Sequence, residues 1–329
     1  MGSFGLRAQA SRLLIAPVST GHSIKAKHQG KTSRQIMNTL KQAELVAQVW
    51  PGAKLRSALP LTGGVSAQVY ALEVAHSAGA VARVVLREHS PVESHYSAEL
   101  EFDLLKALHS LGLLVPEPLL FDAGCTLAAN PFVIMTAIPG SSVIPTGNAF
   151  EYIDEMACQL FRIHQAPIQN LPTLPSRLDP LPEVFEYLPA AAEWGSLNAG
   201  LRALTDTGFK GARCLLHGDY WAQNLLWEQG RITGILDWED AAIGDPLSDV
   251  AGASVELRYL FGLEGMQRFI AAYNALSSVD PTRLALWQVY VAAAAQHFMS
   301  TWQLAPADEA HRRRAALACL REAEQVLWA

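Results

Sequence analysis

Two carboxylates and one amide, at short intervals, carry the strongest chemical signal in this sequence. Leu216-His217-Gly218-Asp219-Tyr220-Trp221-Ala222-Gln223-Asn224 sets an Asn five residues after an Asp, and a hydrophobic run then ends in Leu236-Asp237-Trp238-Glu239. Phosphoryl transfer from a nucleotide needs a carboxylate beside the attacking hydroxyl and further oxygen ligands for Mg²⁺. On a loop between short strands, Asp219 can face the hydroxyl while Asn224 turns back to the metal. Asp237, at a strand end, can bridge the metal to the phosphates. Magnesium suits the set because it takes hard oxygen ligands and completes its shell with water and phosphate. His-Gly-Asp alone is a common turn, and Asp237 alone could cap a strand. The order and spacing of all three, followed by Gly244-Asp245-Pro246 and Asp249, favour the chemical reading.

Other chemistries are poorly served. Cys125, Cys158, Cys214 and Cys319 are far apart with no CxxC spacing, which reads as thiols in a reducing, cytoplasmic setting rather than a disulfide frame or zinc site. The ten histidines form no HExxH or HxxxH cluster. No apolar run reaches the ~18–20 residues that cross a bilayer, so no membrane span is expected. Seven of the 25 basic residues precede Glu44, the first acid, which leaves 18 against 31 acids and a formal charge of −13 for the remainder. Such a body would repel a nucleic-acid backbone, and no nucleic-acid partner is expected. The basic, acid-free leader, residues 1–37, fits an organellar transit peptide, a disordered tail or an upstream extension ahead of Met37.

The elements that must position these groups follow from periodicity and turn chemistry. A short helix is predicted over 39–49, closed by Pro51-Gly52. Strands follow over 54–61, 67–74 and 80–87, a leucine-faced helix over 97–111, and strands near 119–121 and 132–136. Together they make a five-stranded antiparallel sheet with a helix. Beyond Ile138-Pro139-Gly140 the chain turns helical: 150–165, a Pro-rich loop at 167–182, shorter helices to Gly208, and a strand-rich insert over 213–238. Helices near 246–261, 265–276, 281–303 and 308–328 close it. The expected fold class is therefore α+β, with a small nucleotide-binding lobe over 38–137 and a larger helical catalytic lobe over 138–329.

The run HGDxxxxN, the strand ending in Asp-Trp-Glu, and the Gly-Asp-Pro with Asp249 closely resemble the aminoglycoside phosphotransferase and choline kinase-like family, of protein-kinase-like fold. The resemblance extends more weakly over about residues 40–300. It implies Asp219 as catalytic base, Asn224 and Asp237 as Mg²⁺ ligands, His217 as support of the loop, and Asp245 and Asp249 as groups that brace the loop and start the next helix. Gly63-Gly64 with Ser66 resembles the family's phosphate-covering loop, although a Gly pair between strands is by itself more often a plain hairpin. Arg87 stands where protein kinases use Lys to hold the α- and β-phosphates. Its implied acid partner is Glu101, with Glu99 the runner-up. The run Pro131 to Gly140 resembles the hinge, with adenine bonded near Thr136 and Ile138 and Met135 lining its pocket. His164, ending a helix, is read as a core hydrogen-bonding group.

The resemblance thus implies an ATP- and Mg²⁺-dependent transfer to a small-molecule hydroxyl acceptor, such as a sugar or amino alcohol. A catalytically silent kinase-like module is the alternative. Trp287, Tyr290, Ala294, His297 and Thr301 share one helical stripe, open to reading as acceptor wall or as packing face. The stripe holds no acid, which disfavours a polycationic acceptor.

Overall fold

The computed structural model describes residues 41–61, 67–77, 79–89, 96–144, 147, 149–302 and 304–329. The chain divides into two compact units. One holds the described residues up to Lys106 together with Pro116–Ala137, and the other Ala107–Val115 with Ile138–Ala329.

The first unit is a five-stranded antiparallel sheet. Strands β1 (Lys54–Leu61), β2 (Ala67–Ala75), β3 (Val81–His89), β4 (Pro118–Asp122) and β5 (Phe132–Thr136) lie in the order β1-β2-β3-β5-β4. Alternation along the strands decides what each face carries. Leu72 and Val74, Val84 and Leu86, and Phe132 and Ile134 meet Leu45 and Val46 of helix α1 (41–49) in one buried cluster. Arg87 and His89, one step out of phase with Leu86, belong to the opposite face, which meets helix α2 (Ala98–Ser110) through Glu101.

The second unit is mainly helical: α3 (Ala149–His164), α4 (Leu181–Tyr187), α5 (Gly195–Ala203), α6 (Leu247–Asn274), α7 (Pro281–Phe298) and α8 (Pro306–Leu327). Helix α7 is buried without a break from Leu284 to Ala295. A helix apolar on all sides can only be a core element, and α4, α6 and α8 pack around it. Asp280 caps its start, accepting from the N–H groups of Thr282 and Arg283. The separate helices expected near 246–261 and 265–276 form one span broken at Gly262, whose φ of 72° no helix interior adopts. The helix expected to reach 303 ends at Phe298 and tightens into a 3₁₀ turn, Met299–Thr301.

Two short strands escape sequence periodicity. Strand β6 (Ser176–Arg177) lies inside the Pro-rich loop, and β10 (Ala242–Gly244) follows the strand-rich insert. They pair in parallel, and β10 also pairs antiparallel with β7 (Cys214–Leu216) to give the order β6-β10-β7. Gly244 sits at the centre, where an added Cβ would fall 1.9 Å from the carbonyl oxygen of Arg177. The hairpin β8 (Leu225–Glu228) and β9 (Arg231–Ile235) completes the scaffold of the acidic loop.

Candidate active site

The loop after β7 is held by its own backbone. Gly218 has φ +85°, and a Cβ there would lie 1.9 Å from Asp240 O, so only glycine fits. The N–H groups of His217 and Gly218 donate to the two oxygens of Asp249, at 2.7 and 2.9 Å. Asp249, in the first turn of α6, is also reached by His164 Nε2 at 3.3 Å, and His164 Nδ1 accepts from Tyr273 OH at 2.6 Å. Burial alone would raise the Asp249 carboxyl. The hydrogen bond from His164, with the Arg177 guanidinium nearby, holds it below the usual carboxylate range.

His217 is fully buried and acts as a fixed strut. Its Nε2 lies 2.9 Å from Leu236 O, which can only accept, so Nε2 carries the proton. The bare Nδ1 then accepts the Asp219 N–H at 3.3 Å. Burial drives the imidazole below its ordinary pKa, outweighing the acids nearby, and keeps this neutral tautomer. Trp238 packs behind the ring, its plane tilted by 46° and the centroids 4.6 Å apart. The strut therefore ties the backbone of Asp219 to the carbonyl just before Asp237.

Asn224 completes the constellation. Its Nδ2 donates to both the main-chain oxygen and Oδ2 of Asp219, each at 2.9 Å, while its own carbonyl accepts the Leu236 N–H at 2.8 Å. The carboxylate of Asp219 is thus oriented by the amide, and Asn224 Oδ1 is turned the other way. Asp237 has φ 66°, a left-handed conformation that Asp tolerates better than most residues and that is common at functional sites.

Asp245 stands at the start of the next helix as expected, but it does not brace the loop. Its side chain takes Arg283 Nε at 2.5 Å, Trp287 Nε1 at 2.7 Å and the Leu247 N–H at 3.0 Å, so it anchors α7 to the start of α6 rather than the acidic loop. The aromatic stripe on α7 also divides. Trp287 and Tyr290 line a cleft beside Asp219, whereas His297 packs on Tyr187 and Phe298, Ala294 is buried and Thr301 is exposed. That cleft lies wholly within the helical unit.

In the sheet unit, Arg87 Nη1 meets Glu101 Oε1 at 3.2 Å, while Glu99 is exposed. Glu101 is buried and also held by His89 Nε2 at 2.7 Å, a partner on the same strand face that strand parity could have flagged. Met135 is buried in β5. Thr136 uses its N–H on Glu117 O and its hydroxyl on the Glu117 N–H, both at 2.9 Å. Gly63, Gly64 and Ser66 lie outside the described residues, as does the leader.

The model of the phosphotransferase enzyme family matches residues 57–287. The chain belongs to that family. It is 27% identical over 181 residues to viomycin phosphotransferase of Streptomyces vinaceus, covering 46% of this chain and 61% of that protein. It is also 24% identical over 252 residues to acyl-CoA dehydrogenase family member 11 of Rattus norvegicus, where 63% of this chain spans 31% of the longer protein. Among solved structures, the aminoglycoside phosphotransferase APH(4)-Ia in ternary complex with AMP-PNP and hygromycin B superposes with TM-score 0.60 at 15% identity. That match covers 85% of this chain and 98% of the other. Macrolide 2'-phosphotransferase MphH of Brachybacterium faecium gives 0.57 at 18% identity, over 87% and 98%. These likenesses establish the kinase-like fold.

Within this member of the phosphotransferase family, Arg177, Ser248 and His89 are site-adjacent residues that sequence reasoning missed. Arg177 Nη1 donates to Gly218 O at 3.1 Å from a strand two residues long, and no local pattern marks it. Among the described residues no helix is long and apolar enough to cross a membrane.

Proposed function

We propose that the chain transfers the γ-phosphoryl group of ATP to a hydroxyl of a small metabolite, with Asp219 as base. The observation that carries this reading is the double hydrogen bond from Asn224 to Asp219, which orients a carboxylate that lines a cleft of the helical unit. Solved relatives of the same fold hold a nucleotide analogue and a small acceptor, which supports the same pairing of ligands here. Asn224 Oδ1 and the Asp237 carboxylate would hold Mg²⁺. Among the described residues no group of three or more His, Cys, Asp and Glu side chains could bind a metal unaided. That fits an ion which takes one or two protein oxygens and completes its shell with phosphate and water. When bound, Mg²⁺ would offset the charge on the phosphoryl oxygens.

The chain's own groups do the rest. Gly63, Gly64, Ser66 and Arg87 would bind the nucleotide phosphates, with Glu101 fixing the Arg87 fork. The backbone at Ile138 and the side chain of Met135 would receive the base. Asp219 orients the acceptor hydroxyl. Its oxygen bonds to the γ-phosphorus as the bond to the departing ADP oxygen breaks, and the proton passes late to the Asp219 carboxylate. Among the described residues the cleft's carboxylates are Asp219, Asp249, which takes two backbone N–H groups, and Glu256, paired with Arg312 at 2.7 Å, too few for the dense negative wall that a polycation needs. The acceptor is accordingly neutral or singly charged.

Asp219→Asn should abolish transfer of label from γ-labelled ATP, by roughly 10²–10⁴-fold, while nucleotide binding is retained. Near-normal turnover would remove Asp219 from the role. Nucleotide binding by the parent without transfer to any acceptor would favour a silent module.

A further inference from the structure

The nucleotide reading above gives Arg87 the phosphates and Glu101 the task of holding it. The sheet unit ties a third group to that pair. Strand β3 ends in Arg87-Glu88-His89, so alternation turns Arg87 and His89 to one face and Glu88 to the other. Glu88 hydrogen-bonds Asn130 and lies near the charge of Lys41, on the face that α1 covers. Two positions apart on a strand, Arg87 and His89 start about 6.5–7 Å from one another. Glu101 reaches between them from α2, with Oε1 at 3.2 Å from Arg87 Nη1 and Oε2 at 2.7 Å from His89 Nε2. Its place on the helix is set by the first turn, where the Leu100 N–H donates to Ser97 Oγ at 3.0 Å and the Glu101 N–H to Ser97 O at 2.9 Å.

His89 and Glu101 are out of water, each 4% exposed, whereas the Arg87 side chain keeps 13%. A carboxylate paired with a guanidinium can only accept, so His89 Nε2 carries the hydrogen. A buried carboxylate oxygen without a donor is costly, and here each oxygen has its own. That division decides the form of the ion pair. Left to themselves, a guanidinium and a carboxylate close fork on fork, through two parallel N–H···O bonds. With Oε2 taken by His89 at the shorter distance, Glu101 engages Arg87 through Nη1 alone. The guanidinium is tethered at one nitrogen instead of being clamped along an edge, a state suited to receiving a second anion.

We propose that His89 is a positioning residue for nucleotide binding: by holding Glu101 Oε2 it keeps the Arg87–Glu101 pair single-pronged and the guanidinium presented to the phosphates. It acts through Glu101 and Arg87, not by contact with the nucleotide. Without that donor Glu101 can turn its second oxygen to Arg87, and the edge of the fork it then occupies is lost to the phosphates.

Isothermal titration of the full chain with MgADP and with adenosine tests this. The ratio of the two affinities is the readout, because a general loosening of the sheet lowers both together. His89→Leu should lower the MgADP affinity about tenfold, the worth of one charge-assisted hydrogen bond, and leave that for adenosine little changed. His89→Gln sets an amide N–H near the place of Nε2 and should recover most of the ratio. His89→Asn, whose amide falls one bond short, should not, and this pair of variants carries the test if His89→Leu does not fold. In Arg87→Ala the ratio should fall, and adding His89→Leu should lower it no further. A parental ratio in His89→Leu or His89→Asn, beside a lowered one in Arg87→Ala, overturns the role of His89 and leaves Arg87 on the phosphates. Equal losses from the His89 change in the parent and in Arg87→Ala overturn it too, since His89 then acts without Arg87. A parent that binds no MgADP, or a ratio unmoved by Arg87→Ala, ends the nucleotide reading itself, and the proposal falls with it.

Discussion

At the scale of single residues, Asn224 and His217 each have a role that a ligand-only or turn-only view omits. Asn224 orients Asp219, and in the proposed function its amide oxygen would also hold Mg²⁺. Asn224→Ala should therefore lower kcat by roughly 10–100-fold even at saturating Mg²⁺, because a misplaced base costs rate by itself. Full recovery of kcat at high Mg²⁺ would reduce Asn224 to a ligand. His217 is neutral in the folded chain, with its pKa depressed by burial. Unfolding lets it return to about 6.5. Below that value the unfolded chain binds a proton that the folded chain refuses, so stability falls as pH drops from about 7 toward the depressed folded value. Asp249 behaves otherwise: its lowered pKa contributes stability that is lost only as pH falls below the usual carboxylate range. Denaturant unfolding at about pH 7 and pH 5 should show a shallower pH dependence in His217→Gln than in the parent. An unchanged slope would contradict the neutral strut.

At the scale of elements, the three-stranded sheet decides where Arg177 stands. Strand β6 exists because β10 accepts it: Ile243 N–H donates to Pro175 O at 2.8 Å, and Asp245 N–H donates to Arg177 O at 3.0 Å. Both bonds require the bare face of Gly244, where a methyl group would collide with Arg177 O. Gly244→Ala should cost about 1–3 kcal/mol of stability, and it should raise KM for the acceptor more than for ATP. Differential scanning calorimetry and steady-state kinetics on the same variant check both halves. A variant as stable as the parent, with unaltered acceptor KM, would mean that β6 does not position the cleft.

At the scale of the whole molecule, the helical unit is organised around α7 and the buried ion pair at its foot. Asp245 has no solvent exposure, and Arg283 joins it to the carbonyls of Leu178, at 2.6 Å, and Thr207. One guanidinium thus fixes the loop before α4, the segment after α5 and the entry to α6. Removing it strands a buried carboxylate, so Arg283→Ala should destabilise the protein by about 3–5 kcal/mol, with a drop in the urea midpoint as the measurement. Asp245→Asn in the same background should recover part of the loss by removing the charge. Failure of that rescue would show that Arg283 acts through packing on Phe209 and Trp287, which its guanidinium overlies at 5.8 and 5.7 Å, rather than through charge.

The sequence by itself determined the order of elements, the five-stranded sheet and the chemical identity of the loop residues. These depend on local causes: alternation along β2 and β3, the continuous apolar run of β5, the leucine face of α2, and glycine where Gly218 must take a positive φ. It also narrowed the partner of Arg87 to two acids on one helix, and the fold chose Glu101 by burying it while Glu99 faces solvent. Only the tertiary structure decided the rest. Strand pairing at long separation made β6 and β10 from segments too short to carry a period, and with them came Arg177 beside Gly218. Helix packing divided the α7 stripe into a cleft wall at Trp287 and Tyr290 and a core contact at His297. Asp245 went to Arg283 and Trp287 for the same reason: a buried charge takes the donors that packing brings within reach, and spacing along the chain does not say which those are.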